Sequence, residues 1–242
     1  MTMHSKSLHA LCALAALSSP VWADENGATD RLKQQLQEVS HGRIQPDAIT
    51  KTPVPGVFEV RAGLDLIYVD GTGRYAFVEG HLLDLKENKD LTQQKLDNLA
   101  RIDFKSLPFD LALKTVRGNG RRQLAVFEDP TCPYCRALHT LLDQLDDVTI
   151  YTFPFPVLSP DSDAKARAAL CAPDRAKAWK ELMMQGKVPA AQACATQVDR
   201  ILQLGTQLNI RGTPTVFFAD GRRSQGAVPP DQFMALLTQA QP

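Results

Sequence analysis

The chain is poor in cysteine, carries no surplus charge of either sign, and has no apolar run long enough to span a bilayer. Of its 242 residues five are cysteine, and 27 Lys and Arg face 27 Asp and Glu. A balanced charge gives no electrostatic footprint for nucleic acid. The longest apolar run is Ala10 to Leu17, and a spanning helix needs about 20 such residues. No internal repeat and no low-complexity tract is present. Proteins or small molecules are the expected partners, and no nucleic acid is.

The short apolar run has a meaning of its own. Lys6 precedes it, and Val21-Trp22-Ala23 follows it behind Ser18, Ser19 and Pro20. That layout predicts a secretory signal peptide over residues 1–23, cleaved after Ala23. Cys12 would leave with it. Four cysteines would remain, namely Cys132, Cys135, Cys171 and Cys194. An even count in an exported chain points to disulfides, and four cysteines allow three connectivities. Pairing the close two and the distant two is the simplest.

From Asp24 onward the length suits one large domain or two small ones, and the pattern favours two. Asp30 to Ser40 reads as an amphipathic helix with Leu32, Leu36 and Val39 on one stripe. Gly56 to Val60, Leu64 to Val69 and Arg74 to Val78 read as strands, the last two forming a hairpin around Asp70-Gly-Thr-Gly73. His81 to Leu85 adds a short strand. Residues 24–88 are thus expected to form a helix-and-sheet unit whose core is marginal alone and gains from a second copy. Asp90 to about Lys105 reads as a polar helix with Asp90 and Gln93 in a capping arrangement, and residues 89–120 as linker helix and connector.

From residue 121 to the end the order is strand (Leu124 to Phe127), helix (Cys132 to Leu145), strand (Val148 to Phe153), helices (Asp163 to about Met184, Gln197 to Leu208), strand (Thr215 to Phe218), helix (Pro230 to Gln239). With a Cys-x-x-Cys pair at the first strand–helix junction, this is a thioredoxin-like order.

In Asp129-Pro-Thr-Cys-Pro-Tyr-Cys135, Cys132 would open the helix, where unpaired backbone N–H groups favour a thiolate. A thiolate is the species that attacks a disulfide. Cys135, one turn on, would be more buried than an exposed Cys132 and could resolve a mixed disulfide formed there. Pro133 suits a first helical turn. Zinc would need four ligands; Cys171 and Cys194 are not a close pair, and His139 leaves a fourth ligand missing. No metal and no cofactor is expected. A merely structural Cys132–Cys135 bridge would be labile at such a site. Pro214, in the lead-in to a strand, cannot donate to the ladder.

Phe127, Asp129, Thr131, Cys132, Tyr134, Cys135, Leu138 and His139 resemble the active-site segment of the DsbC/DsbG family of periplasmic disulfide isomerases. Asp161-Ser-Asp-Ala164 before Cys171, Leu204-Gly205 with Gln207-Leu208, Gly212-Thr-Pro214 and Pro229-Pro230 fit the same pattern. The similarity is strong over about residues 122–240 and looser over 24–110. It implies an α+β protein with a thioredoxin-like catalytic domain bearing a helical insertion, and a small cystatin-like N-terminal dimerisation domain joined by a linker helix. It also implies that Cys132 and Cys135 are the redox pair, and that Pro133, Tyr134, Thr213 and a cis Pro214 line the substrate site. Cys171–Cys194 would be a structural disulfide. The implied partners are a second copy, misoxidised or unfolded exported proteins, and a membrane thiol donor resembling DsbD that re-reduces the pair. The Pro133-Tyr134 dipeptide is closer to DsbG than to DsbC, which keeps sulfenic-acid reduction and net oxidation as rival activities. A holdase with an incidental cysteine pair is the non-enzymatic rival. Val126 stands where a thioredoxin proper has a buried acid, so the proton acceptor for Cys135 is unassigned.

Overall fold

The computed structural model describes residues 25–190 and 193–240. The expected signal peptide, Cys12 within it and the expected cleavage after Ala23 lie outside the described residues. The chain divides between Gly80 and His81 into two compact units.

In the first unit, α1 (Glu25–Val39) packs on a four-stranded antiparallel sheet of β1 (Ala48–Lys51), β2 (Val57–Ala62), β3 (Asp65–Asp70) and β4 (Ala76–Phe77), in that order. Leu32 and Leu36, one helical turn apart, are buried against Val60 and Val69, with Ile44, Ile49, Phe58 and Ile67 closing the cluster. Val39, expected on the same stripe, is 54% exposed. It is the last residue of the helix, where the stripe runs past the covered turn. The hairpin turn is held by Asp70, whose carboxylate accepts from the N–H groups of Arg74 and Tyr75 at 3.0 and 2.9 Å. Of the strand expected over Arg74 to Val78, only Ala76–Phe77 pairs, and Tyr75, Phe77 and Val78 are exposed.

The second unit begins with a small hairpin of β5 (Leu83–Asp84) and β6 (Lys89–Asp90), followed by α2 (Leu91–Leu99). Asp90 caps α2 by accepting from the Gln93 N–H at 2.8 Å. The helix stops six residues short of the expected Lys105. Asp103 there starts a separate 3₁₀ turn, and Phe104, Leu107 and Leu111 turn inward to become core.

The main sheet contains β7 (Leu113–Arg117), β8 (Arg122–Glu128), β9 (Val148–Pro154), β10 (Thr215–Phe218) and β11 (Arg223–Gln225), ordered β11-β10-β8-β9-β7. Only β8 and β9 run parallel, and the crossover between them carries α3 (Pro133–Asp143). β8 lies in the centre, and alternation sorts its side chains. Leu124 and Val126 face α3 and α7 (Pro230–Gln239); Ala125 and Phe127 face α6 (Val198–Gln207). α4 (Pro160–Leu170) and α5 (Arg175–Gln185) form a helical insertion after β9. The helix expected from Asp163 to Met184 is broken between them. Pro173 follows Ala172, and Asp174 starts α5 by accepting from the Lys177 N–H at 3.0 Å.

Gly205 in α6 permits a close approach. A Cβ there would collide with the ring of Phe155.

Candidate active site

The end of β8 and the start of α3 build the site. β8 is apolar from Leu124 to Phe127 and ends on Glu128; Asp129 follows it, and both acids are fully buried. Asp129 organises the turn that follows. One oxygen accepts from the N–H and hydroxyl of Thr131 at 2.7 and 2.8 Å and from the Ser162 hydroxyl at 2.8 Å. The other accepts from the N–H groups of Val157 and Leu158 at 2.9 and 3.0 Å. One carboxylate thus joins the active-site turn, the loop after β9 and the first turn of α4.

Cys132 is the N-cap of α3, and Pro133 is its first helical residue, where a missing N–H is tolerated. The Cys132 thiol donates to the Thr213 carbonyl at 3.4 Å. Thr213 precedes Pro214, and the bond between them is cis. Pro133 and Tyr134 are exposed beside the pair. Cys132 itself is only 4% exposed, against the expectation of an exposed nucleophile. The strand lead-in carrying Thr213 folds over it, a contact between residues 81 positions apart.

Cys135 is fully buried one turn later, and both thiols are free. Burial pushes the Cys135 thiol well above its ordinary range, and the charge of Glu128 adds to that. The Asp129 N–H, at 3.4 Å from the sulfur, works in the opposite direction. Cys171 and Cys194 are joined in a disulfide, with 5.7 Å between Cα atoms, which selects one of the three connectivities.

Sequence reasoning gave no role to Glu128 or Trp179, and considered His139 only as a zinc ligand and as part of the family-like segment. The Trp179 indole N–H donates to Glu128 Oε1 at 2.6 Å, and His139 Nδ1 lies 3.2 Å from the same oxygen. The available signal was an acid directly after the apolar run Leu124 to Phe127, which does not reveal its partners. Among the described residues no group of His, Cys, Asp and Glu could hold a metal ion.

Such a site can exchange disulfides, with one sulfur at a helix start and a second one turn behind it. Residues 109–241 match the model of a thioredoxin-like domain, and residues 20–93 match that of the disulfide bond isomerase protein N-terminal domain. The chain is 43% identical over 208 residues to the probable thiol:disulfide interchange protein DsbC of Bordetella pertussis, covering 86% of this chain and 74% of that one. The chain belongs to the DsbC family of thiol:disulfide interchange proteins. Its fold is accordingly a thioredoxin-like domain of mixed helices and strands behind a DsbC-type N-terminal domain. It is 26% identical over 238 residues to the thiol:disulfide interchange protein DsbC of Escherichia coli K12, covering 94% of this chain and 93% of that one. The crystal structure of a disulfide interchange protein from Neisseria gonorrhoeae superposes with a TM-score of 0.53 at 40% identity, over 56% of this chain and 99% of that one.

Proposed function

We propose that the protein is a periplasmic, homodimeric enzyme that reduces and isomerises non-native disulfides in exported proteins. The observation that carries this is the placement of two free thiols with unequal surroundings: Cys132 at the opening of α3, and Cys135 sealed one turn behind it.

Cys132 as thiolate attacks one sulfur of a substrate disulfide. The other substrate sulfur leaves with the electron pair, and a mixed disulfide remains. If a different substrate thiolate attacks that bond, Cys132 is released and the substrate is isomerised with no net redox change. If Cys135 attacks instead, the substrate leaves reduced and Cys132–Cys135 is oxidised by two electrons. The second outcome requires a thiol donor, for which a membrane protein resembling DsbD is the expected class. Pro133, Tyr134, Thr213 and Pro214 would contact the substrate, a reading supported by the contact of the Thr213 carbonyl with Cys132.

The dimer is supported by the first unit. Its β4 is a two-residue edge strand in which Phe77 is exposed, with exposed Tyr75 and Val78 on either side, and a second copy would cover that edge. The same apolar edge gives some support to a holdase activity. The Pro133-Tyr134 dipeptide is the feature that favours sulfenic-acid reduction as a second activity.

Refolding of a scrambled multi-disulfide substrate tests the main reading. The native chain in a glutathione buffer should restore activity. A Cys132→Ala/Cys135→Ala variant should not, and a variant as effective as the native chain would refute the catalytic role. Light scattering at micromolar concentration should give twice the chain mass.

A further inference from the structure

The resolving step leaves a proton without a destination. Cys135 must lose it before attacking Cys132, and burial holds the thiol in its protonated form. Beside it sits a carboxyl group whose arrangement is otherwise unexplained. Glu128 has no exposed surface, one oxygen engaged twice and the other, Oε2, without a hydrogen-bond partner. A buried carboxylate oxygen left bare costs free energy that an indole contact to its sister oxygen does not recover.

Three contacts fix where this group lies. Asp129, the residue after β8, presents its N–H to the Cys135 sulfur. His139, four residues after Cys135 and hence on the same face of α3, reaches Glu128 Oε1. Trp179, the donor to Oε1, packs in one buried cluster with Cys132 and Cys135. The Glu128 carboxyl group is therefore held, fully buried, against α3 and the cluster that contains Cys135. His139 is the member of this group that reaches solvent: its side chain is 14% exposed, while that of Glu128 has no exposure.

We propose that Glu128 accepts the proton of Cys135 during resolution and that His139 conveys it to water. The inference rests on the reading of Cys135 as the resolving thiol. In the step, the Cys135 S–H proton moves to the Glu128 carboxylate. The resulting thiolate attacks Cys132 Sγ, and the bond between Cys132 and the substrate sulfur breaks. The substrate sulfur departs with the electron pair and takes a proton from solvent, while the proton on Glu128 leaves through the imidazole. One proton leaves the buried thiol and one reaches water, so the count balances. Neutralising Glu128 also removes the negative charge that opposes the thiolate. The groups facing Glu128 are Cys135 and His139 from α3, with Cys132 in the same cluster, and the uncharged indole of Trp179 from α5. Asp129 does not compete, because its two oxygens hold five donors.

The reduced full-length chain can be mixed with the aromatic disulfide dithiobis-nitrobenzoate. One coloured thiolate appears when Cys132 attacks and a second when Cys135 resolves. A Glu128→Gln variant keeps an acceptor for Trp179 but cannot take a proton. Its first release should match the native chain, and its second should slow by on the order of a hundredfold at neutral pH. The slowed release should also rise in proportion to hydroxide, where the native rate depends less steeply on pH. If Glu128 acted by charge alone, its removal would ease ionisation of Cys135 and speed the second release. A second release that is unchanged or faster therefore overturns the proposal, as does equal slowing of both releases. His139→Asn should slow the second release as well, and an unchanged rate removes His139 from the path. Should Glu128→Gln not fold, the native chain in deuterated water decides: the second release must slow more than the first, and equal slowing overturns the inference. Loss of the two-step release in the native chain, or a first release that survives Cys132→Ala, would instead break the proposed function itself.

Discussion

The backbone N–H of Asp129 donates to the sulfur of Cys135 across 3.4 Å, from the turn that joins β8 to the active-site helix. This contact eases ionisation of the thiol, but burial outweighs it, and the folded value is raised well above 9.0.

A pH dependence of stability follows. Near pH 9 the unfolded chain gives up a proton that the folded, reduced chain keeps. The contribution is fully present below that pH and is lost as pH rises through and beyond it. Between about pH 8 and pH 10 the reduced protein should lose roughly 1.4 kcal/mol more stability than a Cys135→Ala variant. Urea unfolding of both proteins under reducing conditions measures this, and equal losses would clear Cys135 of the effect.

Asp129→Asn should destabilise strongly. An asparagine presents an NH₂ group in place of one oxygen, which would then face either the N–H groups of Val157 and Leu158 or the donors at Thr131 and Ser162. The expected loss is about 3 kcal/mol. Denaturant midpoints measure it, and a loss below about 1 kcal/mol would mean that the loop re-forms around the amide.

Gly205→Ala adds one methyl group where α6 passes the Phe155 ring. Phe155 is buried in the core beneath α6 and cannot retreat without disturbing Phe127. The backbone there needs no left-handed conformation, so the penalty is one of space, roughly 1–3 kcal/mol. A variant as stable as the native chain, by thermal unfolding, would show that the ring can move.

Removing the distant disulfide separates stability from chemistry. Cys171 and Cys194 stand 23 positions apart, and opening a loop of this length costs about 3–4 kcal/mol in the chain-entropy model. Cys171→Ser/Cys194→Ser should melt earlier yet react with an alkylating agent at Cys132 at the native rate. A folded double variant that has lost Cys132 reactivity would place the bridge in the reaction path.

Much of the second unit was legible because its central strands are short apolar runs buried on both faces. Leu124 to Phe127 and Thr215 to Phe218 read as buried strands, and Pro133 marked the first turn of α3. β1, β7 and β11 escaped notice. They are short edge strands with many polar side chains and no clear apolar alternation, and β7 pairs with β9, more than 30 positions along the chain. α2 was read too long because its polar face continues past Leu99, while the signal that ends it, Phe104 turning into the core, is tertiary. The cover over Cys132 depends on Thr213, and the hydrogen bond that Glu128 accepts comes from Trp179, 51 residues away. No local pattern carries either fact.

Helix α5 hangs between Cys171 and Cys194, closed at its base by their bond. A protease that cut the chain anywhere between these two cysteines would not divide the molecule. The fragment bearing Cys132 and the fragment bearing Thr213 would stay tied by one sulfur bridge, with both sides of the reactive pair still on a single covalent body. Such nicking would be silent on a non-reducing gel and visible on a reducing one.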